Sequence, residues 1–167
     1  MMRALSAALL ATIAFTPPAL AADDPILSKL AGQWTGRGSY KESASAAQER
    51  IFCKVTNTLV QNCAALQQKG RCSVASNSGA IDGLITATGG GRYTGTLSSM
   101  ATDGPANLSG SGSGGRLTLN MSFVDGVTHQ PATSTTTMTL SGNGYHLLST
   151  RSDGGKSWTP TDITFTK

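Results

Sequence analysis

Chemistry in this chain has few carriers. There are two histidines, His129 and His146, and three cysteines, Cys53, Cys63 and Cys72. An imidazole on an inward strand face could ligate a haem iron through one ring nitrogen. His129 sits in Val127-Thr-His-Gln-Pro131, which reads as a loop, so His146, beside Tyr145 in a strand-like run, is the one candidate axial ligand. Three cysteines without a histidine at ligand spacing make a poor zinc set. The acidic residues Asp82, Asp103, Asp125 and Asp153 each precede a glycine, as turn residues do. They form neither a calcium loop nor a carboxylate pair. Gly110-Ser-Gly-Ser-Gly114 places Gly112 where a nucleophile elbow needs serine, and no helix pattern follows it. The sequence therefore names no catalytic residue, no metal site and no cofactor.

The elements that would position such groups begin with a leader. Met1-Met2-Arg3 is a positive start, Ala4 to Phe15 is mostly apolar, and Ala19-Leu20-Ala21 is a small-x-small cleavage site after Pro17-Pro18. Residues 1–21 are expected to be a signal peptide cleaved near Ala21, which sends the chain to the periplasm or the medium. The apolar run is shorter than the ~20 residues a spanning helix needs, so membrane insertion after cleavage is not expected. Residues 22–32 form an N-terminal segment in which Asp24 caps a short helix opened by Pro25, with Leu27 and Leu30 pointing the same way. Residues 33–167 are expected to be a single domain. The formal net charge of +4 is scattered, without the basic runs that bind nucleic acid.

From Gln33 on, short strand-like runs alternate with turn signals about every ten residues. Arg116 to Val124 alternates cleanly, with Leu117, Leu119, Met121 and Phe123 on one face. Gly142-Asn143-Gly144 marks a hairpin. Turns are also expected at Thr56-Asn57-Thr58 and at Gln67 to Gly70. No stretch could hold parallel crossovers, so the fold class is all-β: an antiparallel closed or nearly closed barrel of 8–10 strands with a short N-terminal helical turn. In Gly32-Gln-Trp-Thr-Gly-Arg-Gly-Ser-Tyr40 the glycines at 36 and 38 leave one face bare, as a bend or a close approach requires. The turn expected at Thr58 places Cys53 opposite Cys63. Cys63–Cys72 is the alternative across the next turn, and the two loops are too alike in length for closure entropy to separate them. The first pairing leaves Cys72 free.

Gly32-Gln33-Trp34 near the mature start, followed by an all-antiparallel chain, resembles the calycin barrels: lipocalins, avidins and the nitrobindin-like and fatty-acid-binding-like proteins. The segment from Arg151 through Trp158 to Lys167 looks like the closing hairpin of lipocalin-like domains. Arg50-Ile-Phe-Cys53 and Gly91-Arg-Tyr-Thr-Gly-Thr-Leu97 are similar to exported bacterial proteins of unknown function. The resemblance implies that Trp34 closes one end of the barrel against an arginine of a late strand, Arg151 first and Arg92 behind it. It implies a binding or interaction protein for a small molecule or a protein. Alternatives are a carrier of haem or another small ligand, with His146 as the nitrobindin-type ligand, and a protease-inhibitor-like barrel whose inserting segment is Asp23 to Ser28. With few aromatic residues to line it, a pocket should be polar or small.

Overall fold

The computed structural model describes residues 23–167, and the expected signal peptide at 1–21 lies outside them. Helix α1 (Pro25–Leu30) forms as its residues dictate. Asp24 Oδ1 accepts from the amides of Ile26 and Leu27 at 3.0 and 2.9 Å, and Pro25 occupies the first turn, where no amide is needed. Ile26, Leu27 and Leu30 are buried.

Ten strands follow: β1 (Gly32–Tyr40), β2 (Glu49–Val60), β3 (Ala65–Ser73), β4 (Ser78–Gly89), β5 (Arg92–Ser98), β6 (Ala106–Ser113), β7 (Arg116–Val124), β8 (Pro131–Ser141), β9 (Gly144–Asp153) and β10 (Lys156–Thr166). Each pairs antiparallel with the next, and β1 pairs with β10 from Thr35–Thr166 to Tyr40–Thr161 to close the barrel. Closure leaves no free sheet edge. The β9–β10 ladder shifts register between Trp158 and Thr161, where Pro160 cannot donate to it.

Closure depends on the bare face of β1. Trp34, Gly36, Gly38 and Tyr40 point inward. A Cβ on Gly36 would stand 2.5 Å from Phe165 Cε1, and one on Gly38 would fall on the Asp162 carbonyl oxygen. Close approach of β10 is thus what both glycines permit.

The β2–β3 hairpin differs from expectation. Thr56-Asn57-Thr58 and Gln67 to Gly70 lie within strands, and the chain turns at 61–64 instead, with Gln61, Asn62 and Cys63 all at positive φ. Moving the turn changes the cross-strand partners. Cys53 lies opposite Cys72, and those two are bonded, so neither Cys53–Cys63 nor Cys63–Cys72 forms. Cys63 sits in the turn as the free thiol, and Cys72 is buried. Partial desolvation, then the hydrogen bond and charge of Asp23, push the Cys63 thiol up.

The interior divides along the barrel axis. At the α1 end, Tyr145 stacks on Phe165 with centroids 4.5 Å apart and meets Trp34 edge-on at 5.0 Å. Leu27, Leu30, Leu66, Leu117 and Tyr145 are the largest side chains that are fully buried apart from Cys53. Five residues of this size fill that half. The other half is less filled.

Two measurements test this description. Gly38→Ala should lower unfolding stability by roughly 1–3 kcal/mol, as overpacking does, in urea titration; an unchanged midpoint would show that β10 does not approach β1 this closely. Denatured, unreduced protein should titrate one thiol per chain, falling to zero in Cys63→Ser, and reduction should destabilise the fold by about 3 kcal/mol for a loop of this length. A thiol remaining in Cys63→Ser would refute the Cys53–Cys72 bond.

Candidate functional site

Away from α1 the barrel holds a cavity of ≈ 160 Å³. Its wall comes from alternate, inward-facing positions along the strands, so the period-2 pattern of β7 supplies Leu119, Met121 and Phe123 together. None of the five large side chains packed at the α1 end reaches it. The lining is mostly aliphatic and thioether, with Met100, Met121 and Met138 prominent and the Cys53–Cys72 bridge in the wall. Of the two expectations, polar or small, the cavity meets the second: it is small and mostly apolar. The shortage of aromatic residues is met by methionine and branched aliphatics, which fill irregular space adaptably.

Polar side chains interrupt this lining, among them Gln68, Ser99 and Ser134, and two others are bonded to each other. Thr136 on β8 and Ser149 on β9 are cross-strand partners facing inward, 5% and 9% exposed. Their hydroxyl oxygens are 2.7 Å apart, and Thr136 Oγ1 lies 3.5 Å from Met121 Sδ.

The cavity reaches the surface among Glu42, exposed Val127 and Trp158. Charge gathers at this mouth. Arg151 Nη1 donates to Asp125 Oδ2, and Nε donates to Asp153 Oδ1 at 3.3 Å. The guanidinium also lies over the rings of Trp158 and Phe123, 5.6 and 5.7 Å from their centroids. Trp158 Nε1 donates to Asp153 Oδ2 at 2.7 Å. The second oxygen of Asp125 accepts from the Val127 and Thr128 amides and the Thr128 hydroxyl, at 3.0, 2.8 and 3.1 Å. Burial by itself would raise the Asp125 carboxyl, but Arg151 and the Thr128 and Val127 donors outweigh it and hold it at about 2. Tyr40 is pushed the other way, up to about 12, by burial and then by the charges of Glu42, Asp125 and Glu49.

A second opening lies at the side. The β8–β9 ladder ends at Thr135–Thr150, although β8 stays paired with β7 as far as Pro131. A groove of ≈ 340 Å³ there is bounded by Asn120, Ser122, Thr133, Thr150 and Ser152, and shares Met121, Ser134 and Arg151 with the cavity wall.

Most residues singled out from the sequence lie elsewhere. His146 is on the outer face of β9 with Nε2 2.7 Å from Asp162 Oδ1, and does not line the cavity. His129 Nδ1 is 2.9 Å from Asp103 Oδ2 and joins two loops. Arg151 is not the partner of Trp34: it stands at the mouth, and the cation over the Trp34 ring is Lys167, 4.9 Å from the centroid. Trp34 is buried at the α1 end and donates from Nε1 to the Leu30 carbonyl at 2.8 Å. Arg92, the second choice, is exposed at the start of β5. Asp125, read from the sequence as a turn residue, does hold its own turn and in addition pairs with Arg151, whereas nothing in the sequence analysis singles out Thr136 or Ser149. The signal available for Thr136 was its place in the inward phase of β8, two residues before Met138. Among the described residues, no group of three or more His, Cys, Asp or Glu side chains is arranged to hold a metal ion. No protein-family model matches the chain, and no curated protein matches it.

The Arg151–Asp125 pair makes the fold sensitive to acid. The carboxyl pKa is depressed from an unfolded value of ~3.9 to about 2, so the stability it contributes is full above pH ~4 and lost as pH falls through 2. Arg151→Met removes the cation and leaves burial acting on the carboxyl, so the acid-unfolding midpoint should move to higher pH. Circular dichroism between pH 1.5 and 6 checks it; coincident acid curves for the two proteins would show that the pair does not set this response.

Proposed function

We propose that this is an exported, calycin-like barrel that binds one small, largely apolar molecule in its open half. The observation that carries the reading is the ≈ 160 Å³ mostly apolar cavity, left in a barrel whose other end is covered by α1 and buried large side chains. It is smaller than the ~300–1,000 Å³ of drug-sized sites. It is close to the ~150 Å³ engineered cavity, lined by Leu, Ile and Phe, that takes up benzene. The ligand class is therefore a single ring or a short chain.

Export is supported by residues 1–21 as a signal sequence and by the Cys53–Cys72 bond, which persists in oxidising compartments. Among the described residues no helix is long and apolar enough to cross a membrane. The haem reading is disfavoured because His146 faces outward and is engaged with Asp162. The protease-inhibitor reading loses its inserting segment, since Ile26 and Leu27 are buried in the barrel's own end.

Toluene is the simplest probe of the cavity. At ten times its dissociation constant it should raise the melting temperature by roughly 3–5 °C, and native mass spectrometry of protein purified from the exported fraction should show one small adduct per chain. A melting temperature unmoved up to toluene saturation, with only the bare mass in the spectrum, would refute the reading.

A further inference from the structure

We propose that Thr136 and Ser149 are the recognition point of the cavity and select a small neutral molecule carrying one carbonyl or hydroxyl oxygen. This rests on the reading of the cavity as a ligand site and adds the class of ligand to it.

The argument starts from hydrogen-bond capacity. Two hydroxyls bring two protons and four lone pairs. The 2.7 Å contact between them uses one proton and one lone pair. The other proton has Met121 Sδ at 3.5 Å as its partner, and a thioether is a weak acceptor. Both side chains are at least nine-tenths buried, and both face the cavity rather than bulk water. A ligand carbonyl would accept the proton now turned toward sulfur, and a ligand hydroxyl would donate to an unused lone pair. Either exchange replaces a weak bond by an ordinary one at a site already desolvated.

Burial at the hydroxyl pair disfavours an ionised ligand. Lys41, Glu42, Asp125 and Arg151 are the charged residues that line the cavity. Arg151 is closed by Asp125 and Asp153, and Lys41 Nζ donates to the Ala44 carbonyl at 3.0 Å. A carboxylate or an ammonium held at the hydroxyl pair would be stripped of water in a mostly apolar surround, which costs far more than two hydroxyls return. Hydroxyls that served only to join β8 to β9 would be replaceable by apolar groups of the same shape without effect on binding. That difference separates the two roles.

Isothermal titration with toluene, acetophenone and benzoate tests the proposal in the wild-type protein and in Thr136→Val/Ser149→Ala. The double substitution should weaken acetophenone about 3- to 10-fold, the span of one ordinary hydrogen bond, and leave toluene unchanged or slightly tighter. Benzoate should bind the wild type at least ~10-fold more weakly than acetophenone. Equal effects on toluene and acetophenone, or benzoate binding as tightly as the ketone, would overturn the proposal while toluene binding keeps the cavity reading intact. Failure of all three ligands to bind would overturn both. Should the double variant not fold, the benzoate comparison in the wild type and the single variant Ser149→Ala decide the matter.

Discussion

The carbonyl oxygen of Leu30 accepts two hydrogen bonds, from Trp34 Nε1 and from Asn57 Nδ2, both at 2.8 Å. It is a carbonyl of the kind every helix leaves without an intrahelical partner at its C-terminus, here buried and turned into a fastening. Trp34 belongs to β1 and Asn57 to β2, so one atom ties α1 to the first two strands. Asn57 in turn accepts from Gln68 Nε2 on β3 at 3.2 Å. At the other end of the helix, Tyr93 on β5 donates to the Asp24 carboxylate at 2.8 Å. The helix is thereby held across one mouth of the barrel from both its ends, with Ile26, Leu27 and Leu30 buried beneath it. A six-residue helix has too little propensity to persist alone; its place is set by these bonds and that burial.

Fixing α1 there decides the rest of the interior. Trp34, Tyr145 and Phe165 form a continuous aromatic contact beneath it, and Phe165 is where this packed end meets the cavity. A ten-stranded barrel is wider than the eight-stranded kind whose own side chains can fill it. With the largest residues concentrated at the plugged end, the opposite half is lined by methionine, branched aliphatics and the disulfide, and space remains. The hollow follows from where the bulk was placed.

The alternation of Leu117, Leu119, Met121 and Phe123 and the glycine hairpin at Gly142 to Gly144 were legible because local spacing and turn chemistry agree with the final sheet. The same holds for the capped helix at Pro25. The β2–β3 turn was not legible. Its three left-handed residues, Gln61, Asn62 and Cys63, include no glycine. Thr56-Asn57-Thr58 offered a turn signature whose asparagine is instead 3% exposed and spent on Leu30. One misplaced turn then misassigned the disulfide, because cross-strand partners are set by the turn's centre. Arg151 was linked to the wrong tryptophan for a related reason: sequence puts it on a closing strand but not at a particular end of it. The hydroxyl pair was hidden among many threonines and serines, since a half-exposed Thr-rich strand reads alike whichever of its residues faces in.

The mouth and the hydroxyl pair differ in how complete they are. Around Asp125 one carboxylate oxygen meets three donors from its own loop and the other meets Arg151, whose guanidinium is held in addition by Asp153 and by two rings. Charges satisfied to this degree offer little to an incoming ion, and opening them would expose a buried carboxylate. Arg151 is then better understood as a rigid post of the mouth than as a binding group. Ser149 lies two residues along β9 from Arg151, about 7 Å of strand and the next inward position. The strand thus presents a closed ion pair at the opening and, one step further in, a hydroxyl with unused capacity. On the proposed reading, that order would admit apolar bulk past the charges and reserve polar recognition for the interior.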